Sequence, residues 1–272
     1  MVREIRCNGS TLVMGILNAT PDSFYDGGKY YKIEDAMEHA LQMIEDGADI
    51  IDVGGESTRP FSELISVDDE LNRVIPVIEG IRANSDIAIS IDTNKAQVAY
   101  EAYQAGADIV NDISGFMFDP DMAPTVSKLN MYAVIMHIKG TPKDMQQNPQ
   151  YDDVISEIKA FFVERTAFAR QHGVNEDRII LDPGIGFGKR VEDNLRIIKQ
   201  ISDFKELGRP ILMGTSMKSF IGHITDSPLR ERVEGTLASI AISAWNGANI
   251  VRVHDVKKAK KVVKLVSAII SS

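Results

Sequence analysis

Four cations stand where an acidic chain has little local reason to place them. Arg59, Lys218 and His254 each follow a short apolar run, and Arg252 stands near the end of one, just before or within the loop that leads to the next helix. Helix N-termini carry partial positive charge and disfavour cations there. Brought to one face, the four would hold an anion such as a phosphorylated substrate. Arg252 and His254 are separated by one residue, so on an extended strand they project to one side and could grip a diphosphate together. The plainer alternative is a surface Arg and His after a strand. Three acceptors recur at similar places: Asp92, Asn111 and Asp182. Taken singly, each could cap the helix that follows. Taken together, they suit a neutral heterocycle bearing several N–H donors. The segment Gly184-Ile185-Gly186-Phe187-Gly188 has the look of a phosphate cradle, though a few glycines carry that reading weakly.

Other residues are quieter. His39 and His172 fall in helical patterns and read as surface residues. His137 ends a strand and fits either the site or a satisfied core histidine, and His223 stays open between roles. No Cys or His spacing suggests structural zinc, and no Ser, His and acid set is ordered as a hydrolase triad.

The elements that must position these residues alternate regularly. Apolar runs occur at Leu12–Leu17, Asp49–Val53, Ile87–Ile91, Asp108–Val110, Tyr132–Met136, Ile179–Leu181, Pro210–Met213 and Asn249–Val253. Between them the periodicity predicts helices over Ile33–Glu45, Val67–Ile81, Lys95–Ala105, Met122–Leu129, Asp152–His172, Val191–Ile201, Arg230–Trp245 and Val256–Ile270. Pro76 predicts a kink or break in the second. Gly-Ala-Asp or Gly-Ala-Asn follows three helices, as a glycine helix stop would. Asn8-Gly9 predicts a short N-terminal hairpin that closes the bottom of the molecule. Eight strand–helix units without a composition break imply a single (β/α)8 TIM barrel over residues 1–272, with a doubly wound open sheet as the alternative. In a barrel the catalytic rim is the C-terminal end of the strands. Each of the eight strands delivers a polar or charged residue there, the first at Asn18 and the second in Glu56-Ser57-Thr58-Arg59-Pro60.

Composition narrows the partners. The chain has 272 residues and a formal net charge of −9, which argues against nucleic acid and anionic membrane surfaces. A lone Cys7 cannot form an internal disulfide, which suits a reducing cytosol. No apolar run reaches the roughly 18 residues of a membrane span, and no secretory h-region follows the first basic residues. A cytoplasmic protein is expected, with leaderless export as the weak alternative.

The run Met14-Gly15-Ile16-Leu17-Asn18-Ala19-Thr20-Pro21-Asp22-Ser23-Phe24, with Ser57-Thr58-Arg59-Pro60, Ser90–Thr93, Gly106–Gly115, Met136–Gln146, Leu181–Gly188, Ser216–Gly222 and Arg252–His254, resembles the dihydropteroate synthase motifs in the same order. The likeness covers nearly the whole chain. It implies condensation of 7,8-dihydropterin-6-ylmethyl diphosphate with 4-aminobenzoate, through a pterin-stabilised carbocation, in an enzyme family targeted by sulfonamides. By residue match, Asp92, Asn111, Asp182 and Lys218 would hold the pterin. Thr58, Arg252 and His254 would hold the diphosphate, and Asn18 would sit at the accompanying Mg²⁺. Arg59, Pro60, Phe187 and Ser219 would line the aminobenzoate pocket, and the family implies a homodimer through outer helices. Asp92, Asp182, Lys218, Arg252 and His254 would carry the catalysis. The related methyltetrahydrofolate methyltransferases and a non-catalytic pterin-binding paralogue are the competing readings. The chain departs from the family at Met217, where Arg is common, and at Phe61, where Gly is common. Neither change removes an assigned residue.

Overall fold

Strands buried on both faces read as mainly apolar runs, and this chain supplies eight. The computed structural model describes residues 2–7, 9–19, 33–57 and 65–272. The strands are β1 (Leu12–Asn18), β2 (Ile50–Gly54), β3 (Ala88–Asp92), β4 (Ile109–Asp112), β5 (Tyr132–Met136), β6 (Ile179–Asp182), β7 (Leu212–Met213) and β8 (Ile250–Val253). All residues of β2, β4, β5 and β6 are buried. Every pairing is parallel, in the order β6-β5-β4-β3-β2-β1-β8-β7. A bridge between Leu181 and Ile211 joins β6 to β7. The ring is therefore closed, and the open doubly wound sheet is excluded.

The helices are α1 (Ile33–Glu45), α2 (Val67–Asn84), α3 (Ala96–Ala105), α4 (Met122–Leu129), α5 (Val154–Gln171), α6 (Val191–Lys199), α7 (Ser219–Thr225), α8 (Val233–Trp245) and α9 (Val256–Ile270). Their starts are chemically marked. Ser66 accepts the Asp69 amide at the head of α2, and Asp153 and Asp255 do the same for α5 and α9. Gly47, Gly106 and Gly247 all take positive φ after their helices, as the three predicted stops require. α2 continues through Pro76 to Asn84, so the predicted break does not occur. α7 has too few residues for periodicity to reveal it.

Inside the barrel, inward positions change character one pleat at a time. The lower layer is apolar and includes Met14, Ile50, Ile109, Ile180 and Ile250. Two residues further along the same strands stand Asp52, Asn111, Asp182 and Arg252. Core below and site above are thus consecutive steps of the same pleats. The predicted hairpin at Asn8-Gly9 is a correction: residues 2–7 form no strand, and Asn8 lies outside the described residues. The amides of this segment bond to side chains instead, Arg3 N to Asp108 Oδ1 at 2.8 Å and Ile5 N to Tyr132 Oη at 3.2 Å. Val2, Ile5 and Cys7 still pack beneath the lower layer, so the segment closes the barrel without a ladder. Among the described residues no helix is long and apolar enough to cross a membrane.

Candidate active site

Arg252 organises the floor of the rim. From β8 its Nε donates to Asp52 Oδ2 at 2.6 Å and its Nη2 to Asp92 Oδ2 at 2.5 Å. Asn111 on β4 donates its amide to the same Asp52 oxygen at 3.1 Å. One guanidinium thus joins β8, β2 and β3, and β4 hangs on through Asp52. Asp52 is fully buried, and its Oδ1 has no hydrogen-bond partner within the protein. Burial pushes the Asp92 carboxyl up to about 7; Arg252 opposes the shift and the Asp52 charge adds to it. Burial alone would lower the Arg252 guanidinium, but the Asp52 and Asp92 carboxylates outweigh it and hold the group above its ordinary range, protonated.

The other half of the floor is Asp182 and Lys218. Asp182 ends β6 and accepts the Gly184 amide at 2.7 Å. Burial raises its carboxyl above the ordinary range, while that hydrogen bond and the charges of Lys218 and Arg252 pull it down. Burial lowers the Lys218 ammonium to about 8, with the Arg252 charge adding to the shift. Its Nζ sits 4.3 Å from the centre of the Phe187 ring, within cation–π range. Phe187 in turn packs on an apolar wall of Ile113, Met136, Ile138 and Met145. Ser219 is exposed at the start of α7, and half-buried Asn18 ends β1. Thr58, Arg59 and Pro60 lie outside the described residues.

Several expectations change in detail. None of Asp92, Asn111 and Asp182 caps a helix: the residues heading α3, α4 and α6 are Lys95, Asp121 and Arg190. Arg252 and His254 share the rim but have separate partners. Arg252 turns to the inner carboxylates, whereas exposed His254 places Nδ1 2.9 Å from Ser216 Oγ. Three amides of the glycine segment are committed inside the protein. Gly184 N donates to Asp182, Gly186 N to Asn194 and Phe187 N to Gly184, so it is a packed turn and no open phosphate cradle. A Cβ at Gly184 would sit 2.0 Å from the His137 carbonyl oxygen, and one at Gly188 2.3 Å from that of Lys139.

Sequence reasoning missed Asp52. Its signal was a carboxylate in the middle of the apolar run Ile50-Ile51-Asp52-Val53, where a buried charge must be paired. It also passed over Lys189, whose position after a glycine turn gave no hint of burial.

A closed eight-stranded barrel with a buried acid–guanidinium floor and an aromatic–ammonium edge defines a (β/α)8 enzyme for a flat heterocycle rich in N–H groups. The model of the family described as pterin binding enzyme matches residues 14–254. The dihydropteroate synthase of Synechocystis sp. is 48% identical over 95% of this chain and 90% of its own length, and that of Escherichia coli is 44% identical over 96% and 92%. A solved Yersinia pestis dihydropteroate synthase with a sulfonamide drug superposes with a TM-score of 0.93 at 40% identity, covering 97% of this chain and 95% of that one. The Xanthomonas albilineans enzyme in complex with 7,8-dihydropteroate gives 0.89 at 37% identity over 98% and 96%. The chain belongs to the pterin binding enzyme family and, within it, to the dihydropteroate synthases, transferases of folate biosynthesis.

Proposed function

We propose that the protein joins 7,8-dihydropterin-6-ylmethyl diphosphate to 4-aminobenzoate, giving 7,8-dihydropteroate and diphosphate. The observation that carries this reading is the single buried hydrogen-bonded set of Asp52, Arg252, Asp92 and Asn111, with Asp182 and Lys218 closing its open side. Such a floor can accept from the pterin's N–H groups and donate to its ring acceptors at once. Relatives solved with 4-aminobenzoic acid and with 7,8-dihydropteroate support the same pair of ligands.

In the reaction the C–O bond to the diphosphate breaks with its electron pair on the leaving group. The aminobenzoate nitrogen forms the new C–N bond and releases a proton to solvent. Asp182 and Asp92 carry the charge sign that stabilises a positive pterin methylene. Thr58, Arg252 and His254 take up the negative charge that develops on the diphosphate. Phe187, Ser219, Arg59 and Pro60 hold the aminobenzoate. Among the described residues no group of three or more His, Cys, Asp or Glu side chains is placed to hold a metal ion. Asn18 offers one carboxamide oxygen, a donor set that fits a Mg²⁺ whose remaining ligands are substrate oxygens and water. Asn18 would hold that ion, which when bound neutralises charge on the leaving group.

The working form is a cytoplasmic homodimer. Ile242, Trp245, Leu265, Ile269 and Ile270 stay exposed on neighbouring helices α8 and α9, an apolar surface that a second copy would cover. Purified protein given both substrates and Mg²⁺ forms dihydropteroate and diphosphate in equal amounts. Absence of product over a wide range of Mg²⁺ and substrate overturns the reading.

A further inference from the structure

Lys189 is a buried lysine with no carboxylate in contact among the described residues. It is 4% exposed, yet its ammonium meets three acceptors: His137 Nδ1 at 3.0 Å, the His137 carbonyl at 3.2 Å and the Phe187 carbonyl at 3.0 Å. Three donors face three acceptors, the arrangement that makes a buried ammonium tolerable. His137 is held at the end of β5 by an edge contact with Phe161, ring centres 4.9 Å apart. Burial and the Lys189 charge keep its imidazole neutral, so Nδ1 can accept.

The same turn is tied by its other carbonyls. Gln146 donates to the Gly186 carbonyl at 2.7 Å, Tyr151 to the Gly188 carbonyl at 2.7 Å and the Phe187 amide to the Gly184 carbonyl at 3.0 Å. Gln146 and Tyr151 lie on the exposed side or half-buried. Lys189 is buried beneath the turn and reaches both it and His137, the residue that follows β5. The element so fixed carries Phe187, against whose face Lys218 stands.

We propose that Lys189 is a positioning residue for the aminobenzoate side of the site, fixing the 184–188 turn to the end of β5 so that Phe187 presents its ring beside Lys218. This rests on the reading of the site given above. It touches no substrate and acts through the carbonyl of Phe187.

The test compares Lys189→Met, Lys189→Arg and wild type in one assay, varying each substrate in turn. Lys189→Met keeps the apolar stem and removes the donors. Its KM for 4-aminobenzoate rises about tenfold or more, the scale of a lost charged hydrogen bond, while KM for the pterin diphosphate stays within about twofold. Its melting temperature falls as well, because buried acceptors lose their donor, so the deciding readout is the split between the two KM values and not stability. Lys189→Arg, which keeps donors, recovers part of the aminobenzoate KM. Equal changes in both KM values, or no change in either, overturn the proposal while leaving the synthase reading intact. A wild type that makes no product overturns both. Should Lys189→Met fail to fold, His137→Leu, which removes one acceptor and keeps Lys189, carries the same KM comparison.

Discussion

Asp182 ends β6 with one oxygen already accepting the Gly184 amide and with Lys218 and Arg252 acting on its charge. Asp182→Asn keeps the size, removes the charge and turns one acceptor into a donor. An unmatched buried polar group costs about 1–3 kcal/mol, so kcat/KM should fall on the order of 10- to 100-fold. Steady-state kinetics check this, and unchanged kinetics would reduce Asp182 to a turn residue. Met217 makes the contrasting case. Alternation along a strand predicts that it faces away from Lys218, and strand geometry does not reach that far: β7 stops at Met213 and Met217 has φ 59°. The outcome is the expected one for another reason. The turn sends Met217 toward α8, where its sulfur lies 3.7 Å from Thr236 Oγ1. Met217→Arg should therefore change kcat/KM by less than about tenfold, and Lys218→Ala should cost clearly more under the same conditions. Lys218 also sets a pH limit. A lysine is charged below its pKa, and burial brings that value from about 10.4 to about 8. Affinity for the pterin should decline as pH rises through about 8, and Lys218→Arg should remove that decline, as binding titrations across pH 7–10 would record. At this scale the strand-end residues were legible because a polar residue closing an apolar run is conspicuous. Asp52 was hidden because its partner Arg252 is 200 positions away, and no local pattern announces such a pairing.

The second βα connection shows how an element can be held by its stems. Glu56 follows β2, and its Oε1 accepts the Ile65 amide at 3.3 Å, so one side chain ties residues on both sides of 58–64. Lys95, at the head of α3, pairs with Glu56 and with fully buried Glu70 of α2, the latter at 2.6 Å. Arg73 adds a hydrogen bond to the Gly55 carbonyl at 2.9 Å. Removing the shared cation leaves two carboxylates facing each other in a half-dry site. Lys95→Met should lose about 3 kcal/mol of stability, the scale of a broken buried ion pair. Adding Glu70→Gln should restore part of it, measured by urea unfolding. Helices were legible from apolar periodicity: α4 and α9 have the bounds it predicts, whereas α2 runs three residues beyond the predicted Ile81, to Asn84. β7 was read too long because Pro210 belongs to the apolar run but has no N–H for a ladder; it contributes only its carbonyl, which accepts the Leu181 amide at 2.9 Å.

On the scale of the molecule, alternation of strands and helices revealed the architecture, and closure did not follow from it. Closure depends on β6 meeting β7, a contact between segments whose own sequences say nothing of each other. The outer surface bears on the proposed homodimer. Trp245 is 58% exposed and Leu265 63% exposed on α8 and α9, too much apolar area to leave in water without purpose. If the proposed homodimer forms through this face, Trp245→Glu with Leu265→Glu should convert it to monomer in sedimentation velocity, with the circular dichroism of the barrel unchanged. A wild type that sediments as a monomer would remove the dimer from the account.

The joint between β6 and β7 has a consequence for the ligand as well as for the chain. Among the described residues this stave meets its neighbour through a single bridge, Leu181 to Ile211, and β7 itself is two residues long. Asp182 stands on one side of that joint and Lys218 beyond the other. A pterin held between them would lace the cask where its staves are least joined. Substrate would then act as a hoop, tightening the vessel that encloses it.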